Sequence, residues 1–195
     1  MTTYDKIKSE GLELFARYGY DRTSMDDIAK KVGIKKASMY SHLKSKQELY
    51  LSIFTDVINW DEESVDELNR MIALAGVRAK LKAIFYYHYH LFKDEAAKSK
   101  ILFLNRSLIF PPEEAASEIK AIYEDHNHRE RKLISEIFFE GVNSGRIREM
   151  DARDFQAVYF CMLDGLFVAS KHLGREEYYI RADAVWEQFW VSVKI

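Results

Sequence analysis

Proline and glycine are scarce, at 2 and 8 in 195 residues, where average usage would give roughly 10 and 14. A β-sandwich or barrel reverses direction too often for so few turn residues, so the shortage predicts long helices. The single cysteine, Cys161, excludes an internal disulfide. With an N-terminus that lacks an apolar signal core, it leads us to expect a reducing, cytoplasmic setting. The longest apolar run, residues 157–163, is bounded by Gln156 and Asp164 and falls far below the ~18 residues that span a bilayer; no membrane partner is expected. Signatures of catalysis are missing too. There is no P-loop, nucleotide-binding glycine fingerprint, H-E-x-x-H, G-x-S-x-G or Glu-x-x-His pair, so neither an enzyme nor a bound cofactor is expected.

What remains is an ordinary globular composition, 48% hydrophobic and 31% charged. The net charge of −2 hides an asymmetry: residues 1–46 carry ten Lys or Arg against six Asp or Glu, while the rest of the chain is acidic. A basic head on an acidic body is the distribution of a polyanion-binding segment joined to a body with another task. We therefore divide the chain at 1–46 and 47–195.

Apolar residues at helical spacing predict an all-α fold of about nine helices. The first runs from Thr3 to Tyr18 and stops at Gly19. Thr23, with Asp26 three residues on, is read as the cap of a second, closed by Gly33. A short third helix covers Lys35 to Leu43, with Met39 and Leu43 inward and a polar outer face. Ser45 and Glu48 cap a long fourth helix reaching about Ala75, and five more helices follow to Lys194. No stretch alternates with a strand's period of two.

Helix, tight turn and short polar helix is the arrangement that lays one helix in the major groove of DNA while the preceding helix braces it. The residues filling it here are Leu14-Phe15 and Gly19-Tyr20 at the end of the first helix, and Thr23-Ser24-Met25 with Ile28-Ala29 in the second. Val32-Gly33-Ile34 form the turn, Met39-Tyr40 and His42 fall in the third helix, and Lys46 with Leu49 opens the fourth. In these positions the segment from Glu10 to Tyr50 resembles the DNA-binding domain of the TetR/AcrR family of bacterial transcriptional regulators. It departs from the family pattern at Lys35, where Ser or Thr is usual, at Ala37 for Gly, and at Leu43 for Phe. Because Lys35 and Ala37 lie where the helix would meet DNA, base preference does not carry over.

Backbone N–H groups near Ser24 and Lys46, at the starts of two helices, suit phosphate oxygens. Thr23, Tyr40, His42 and Lys46 are the phosphate candidates, as the resemblance also implies. Lys35, Lys36, Ala37, Ser38 and Ser41 lie on the expected base-reading face, where Lys bonds guanine edges and Ala meets a thymine methyl. Two bland alternatives stay open: the lysines as solvated surface, and Tyr40 as a packing residue. So short a reading helix needs a second copy, which predicts a homodimer on a pseudo-palindromic double-stranded DNA operator.

The body holds two further features. The eighth helix carries a strip of small residues, Ala157, Cys161, Gly165 and Ala169, and the ninth a broad apolar face with Val185, Trp186, Phe189 and Trp190; either these helices form the dimer interface, as the resemblance implies, or they close the monomer core. The fifth helix is aromatic nearly all round, including Phe85, His88 and Tyr89, and the seventh places Tyr123, His126 and Glu130 on an apolar stripe. Together with Phe103, Arg106, Tyr159 and Asp164 these are candidate contacts for a small-molecule effector, which the family usually binds, or else satisfied core residues. His88-x-His90 and His126-x-His128 put their rings on different helix faces, so no metal is expected. The function expected is a DNA-binding regulator, a repressor released by a small apolar or aromatic ligand; the alternative is a helical binding protein that does not touch DNA.

Overall fold

The computed structural model describes residues 2–91 and 95–195, leaving aside the side chains of residues 88–90, 95 and 96. The described residues form nine α-helices and one short 3-10 turn, with Ile147 and Lys194 making an isolated antiparallel bridge. None of these helices is long and apolar enough to cross a membrane. The chain separates into two compact units, Met1–Glu63 with Asp94–His126, and Ser64–Lys93 with Asn127–Ile195.

In the first unit, α1 (Thr3–Tyr18) opens with a capping box between Thr2 and Asp5 and ends at Gly19, whose φ of 84° is open to glycine and strained for other residues. Helix α2 (Met25–Val32) ends at Gly33 in the left-handed conformation. Its cap is not Thr23. Ser24 accepts from the Asp27 backbone N–H at 3.1 Å while Asp27 accepts from the Ser24 N–H at 3.0 Å, the same box one residue further on. Thr23 instead turns inward and donates its hydroxyl to the Gly19 carbonyl at 2.8 Å.

Helix α3 spans only Lys36–Met39 and continues as a turn, with His42 and Leu43 N–H groups both donating to the Met39 carbonyl. The expected nine-residue helix is thus a single turn plus a winding exit, because the chain must leave in time to bury Leu43 and begin α4 (Lys46–Ile72). At that start Ser45 accepts from the Glu48 N–H, while the Glu48 carboxylate reaches back to the Lys44 N–H.

The first core is aromatic. Tyr50 meets Phe15, Tyr20 and Phe103 at ring-centroid distances of 5.0, 5.1 and 4.8 Å. Phe103 comes from α6 (Glu95–Ile109), so α6 closes the same core as α1 and α4, together with the beginning of α7 (Ala116–Asn143) through Ile119. This is why the compact unit does not end at residue 46. The Tyr50 hydroxyl and Ser107 Oγ are 2.7 Å apart, and Ser107 donates its hydroxyl to the Phe103 carbonyl at 2.8 Å, so both of these buried hydroxyls have a partner.

The second unit gathers α5 (Val77–Leu91), the rest of α7, α8 (Ala152–His172) and α9 (Arg175–Val193) around Phe85, Phe138, Phe155, Tyr159, Trp186 and Phe189. Tyr159 is fully buried and donates to the Leu81 carbonyl at 2.7 Å, an exchange of solvent for a backbone acceptor that makes its burial affordable in energy.

Candidate nucleic-acid interface

The local sequence builds a narrow presenting surface. Met25, Ile28 and Ala29 bury one face of α2, Gly33 reverses the chain, and Met39, fully buried, pins α3 from beneath. With that one anchor inward, Lys35, Lys36, Ala37, Ser38, Ser41 and His42 are all exposed, and Tyr40 is 50% exposed. The four basic side chains at 35, 36, 44 and 46 belong to the same short stretch, giving a cationic field that a phosphate backbone would meet first.

The side chains differ in freedom. Ser41 Oγ donates to the Ser38 carbonyl at 2.7 Å. The His42 ring stacks on Tyr4 from α1 at a centroid distance of 6.4 Å, so the first helix supports the exit of the third. Lys46 is half-buried: its ammonium lies 3.8 Å from the Tyr20 ring centroid and donates to the Tyr20 carbonyl at 3.1 Å. An ammonium has three N–H donors, so the bond to Tyr20 fixes the position of the charge and leaves donors for an anion. Ser24 is exposed at the start of α2, where the Asp27 carboxyl, held below its ordinary value chiefly by the Ser24 hydroxyl, adds a fixed negative charge. Thr23 leaves the set of surface groups, being 2% exposed and bonded inward.

The effector and interface candidates scatter. Phe103 is a packing residue of the first core, and Arg106 lies against Gly19, where an added Cβ would come within 2.7 Å of its guanidinium. Phe85 packs on Trp186 at 5.5 Å, Tyr159 is in the second core, and Asp164 is exposed. Tyr123 and Glu130 are half-buried, and His126 is buried. His88 and Tyr89 lie outside the described side chains. Of the residues expected at the dimer face, Trp186, Phe189 and Ala169 turn into the core of their own unit; the apolar face of α9 is broad because Val185 and Trp190 flank that inward stripe as half-buried shoulders. Ala157, Cys161 and Gly165 remain exposed and, with Val158, Arg181 and Val185, line a groove of about 590 Å³.

Sequence reasoning passed over Asp61 and Glu62, which lie against His126. A signal existed: Tyr50, Phe54, Val57, Asp61 and Val65 recur at helical spacing along α4, so a carboxylate takes a place reserved for apolar side chains.

Residues 7–53 match the profile of bacterial regulatory proteins of the tetR family. Over those residues the head is similar to the TetR family. Similarity extends well past that domain to the biofilm operon negative transcriptional regulator IcaR of Staphylococcus aureus strain Newman, at 29% identity over 170 residues, covering 84% of this chain and 82% of that protein. Among solved structures, a TetR-family regulator from Agrobacterium tumefaciens has the same fold at a TM-score of 0.76 and 20% identity, over 99% of this chain and 98% of the other. AibR, solved with isovaleryl coenzyme A and operator DNA, superposes at 0.73 with 23% identity, over 96% of this chain and 97% of its own. The head is thus the part that matches a family profile, and the body shares the fold of these solved structures.

Proposed function

We propose that this protein is a cytoplasmic DNA-binding repressor whose residues 1–46 hold the operator and whose residues 47–195 hold a small apolar or aromatic effector and the dimer face. The observation that carries this reading is the exposure of Lys35, Lys36, Ala37, Ser38 and Ser41 around the buried anchor Met39. Fixed from beneath and bare outside, α3 is a side-chain-bearing surface sized for a groove. Lys46, Tyr40 and His42 flank it as phosphate contacts. The negative regulation in the name of IcaR supports repression, and the effector and operator in the AibR structure support a switch. The small-residue groove on α8, with open space above Gly165, admits the close approach of a second copy. We read the chain as a regulator without a catalytic step: effector and operator weaken each other reciprocally, typically by about 1–3 kcal/mol, or 5–150-fold.

Salt titration of operator binding is the test. Each neutralised phosphate contributes about 0.9 to the fall of log K with log salt, so Lys46→Ala lowers the slope by about 1 without changing sequence preference. Operator sequences are first selected from random DNA with the purified dimer. A flat salt response, or no enrichment of a two-fold site, would leave a helical binding protein and reject the reading.

A further inference from the structure

The acidic body carries a hollow of the opposite sign. Its walls come from the start of α5, the end of α7 with the turn that follows, and α9, all within the second unit. Beside it Gly141 lets three segments meet: a Cβ there would lie 2.5 Å from Ile147 Cδ1 and 3.0 Å from Val77 Cγ1. Gly145, with a φ of 65°, turns the chain, and the Arg146 and Ile147 N–H groups then both donate to the Gly141 carbonyl, at 2.8 and 3.0 Å. Ile147 is buried. The main chain of Arg146 is thereby fixed. Its guanidinium is exposed on the rim of the hollow and, among the described residues, has neither a hydrogen-bond nor an ion-pair partner.

The other charges around the hollow leave that cation in excess. Arg78 Nη2 donates to both Glu187 oxygens, at 2.7 and 2.8 Å, and the Lys82 ammonium stands 3.8 Å from the same carboxylate, so two cations share one anion. Glu140, which would oppose an anionic ligand, is offset by Lys80 at 2.7 Å. Ser144 uses its proton on the Glu140 carbonyl and is no donor to a guest. The apolar wall is Trp190, its indole stacked on the buried Trp186 at 6.4 Å between centroids and 12° between planes. At about 710 Å³ the hollow has the size of a small-molecule site. We propose that it binds an aromatic carboxylate, with the ring against Trp190 and the carboxylate on the free fork of Arg146. A planar guanidinium matches a carboxylate through two parallel N–H bonds, and an indole takes a flat apolar ring. An uncharged ligand gains nothing from Arg146, and a cation is repelled by it. Among the described residues, none of those expected to touch an effector lines this hollow, so the inference goes beyond the operator reading and does not rest on it.

The test titrates the full chain by calorimetry with naphthoate, with naphthamide as its uncharged counterpart and acetate as the ringless one. The expected result is one naphthoate per chain, with the amide and acetate each at least about tenfold weaker, the size of one charge-assisted hydrogen bond. Arg146→Gln weakens naphthoate by about tenfold, and Arg146→Lys, which keeps the charge and loses the fork, falls between. Arg148→Gln, an exposed arginine two residues on that does not line the hollow, binds as wild type does. Trp190→Leu weakens naphthoate and leaves acetate unchanged, with circular dichroism melts checking that each variant is folded. Wild-type protein that shows no saturable binding of naphthoate, or that binds the amide equally well, overturns the proposal. So does folded Arg146→Gln protein with unchanged affinity, because the anion is then held elsewhere. None of these measurements involves DNA, so their failure leaves the operator reading untouched.

Discussion

Truncating Phe103 to Ala separates a packing residue from a wall of an effector cavity. The ring is fully buried, 4.8 Å from Tyr50 and 6.5 Å from both Phe15 and Phe54 between centroids. Burying about 150–250 Å² at about 25 cal/mol per Å² contributes roughly 4–6 kcal/mol. Ala keeps part of that, which places the expected loss at about 3–5 kcal/mol, the usual cost of Phe→Ala in a closed core. For a chain of this length, with each kcal/mol moving Tm by about 2–4 °C, the melting point falls by roughly 6–20 °C. Phe103→Leu, which nearly conserves volume, costs under about 1.5 kcal/mol. Thermal and urea melts followed by circular dichroism, the variants against wild type, read both numbers. A Phe103→Ala protein melting within about 2 °C of wild type would refute the argument, since only a ring facing empty space can be removed so cheaply.

Two further substitutions test other elements. Ser24→Ala removes the hydroxyl bonded to Asp27 and destabilises the start of α2 by about 0.5–2 kcal/mol in a denaturant melt. It also returns the Asp27 carboxyl toward 3.8 in an NMR titration, because the Ser24 hydroxyl and then its N–H hold that carboxyl below the ordinary value. The sign follows from a depressed folded-state pKa: the wild-type contribution is complete above the ordinary carboxyl value and is lost as pH falls through the folded one. An unshifted Asp27 in the variant would falsify the capping account. Gly165→Arg fills open space on α8, so the monomer fold should tolerate it while sedimentation equilibrium shifts toward monomer. A variant that stays dimeric at wild-type concentrations places the interface elsewhere.

The head was legible because its signals are local: glycines at 19 and 33, caps within three residues, and an apolar face that needs no distant partner to be recognised. Even there, Thr23 and Ser24 each precede an aspartate by three residues, and only the inward hydrogen bond of Thr23 to Gly19 decides between them. The body was legible as helices and much less as a surface. Apolar breadth on α9 reads the same whether it meets a second copy or its own unit, and Trp186 and Phe189 take the second course. Phe103 and Arg106 illustrate the same ambiguity, since one packs under the head and the other lies against Gly19. The Asp61 and His126 pairing depends on contact between helices far apart in sequence, where periodicity marks the misplaced carboxylate and leaves its partner unnamed.

Met39 alone ties α3 to the core, while its exposed neighbours at 35–38 contribute no buried side chains. Substitutions at such exposed places usually change stability by less than about 0.5 kcal/mol. The proposed recognition surface is therefore open to randomisation: a library varied at 35, 36, 37, 38 and 41 with Met39 held fixed should remain largely folded. If these five positions read the operator as proposed, altered preference can be sought without first repairing the scaffold, and drift there would let descendants of one gene answer to different promoters.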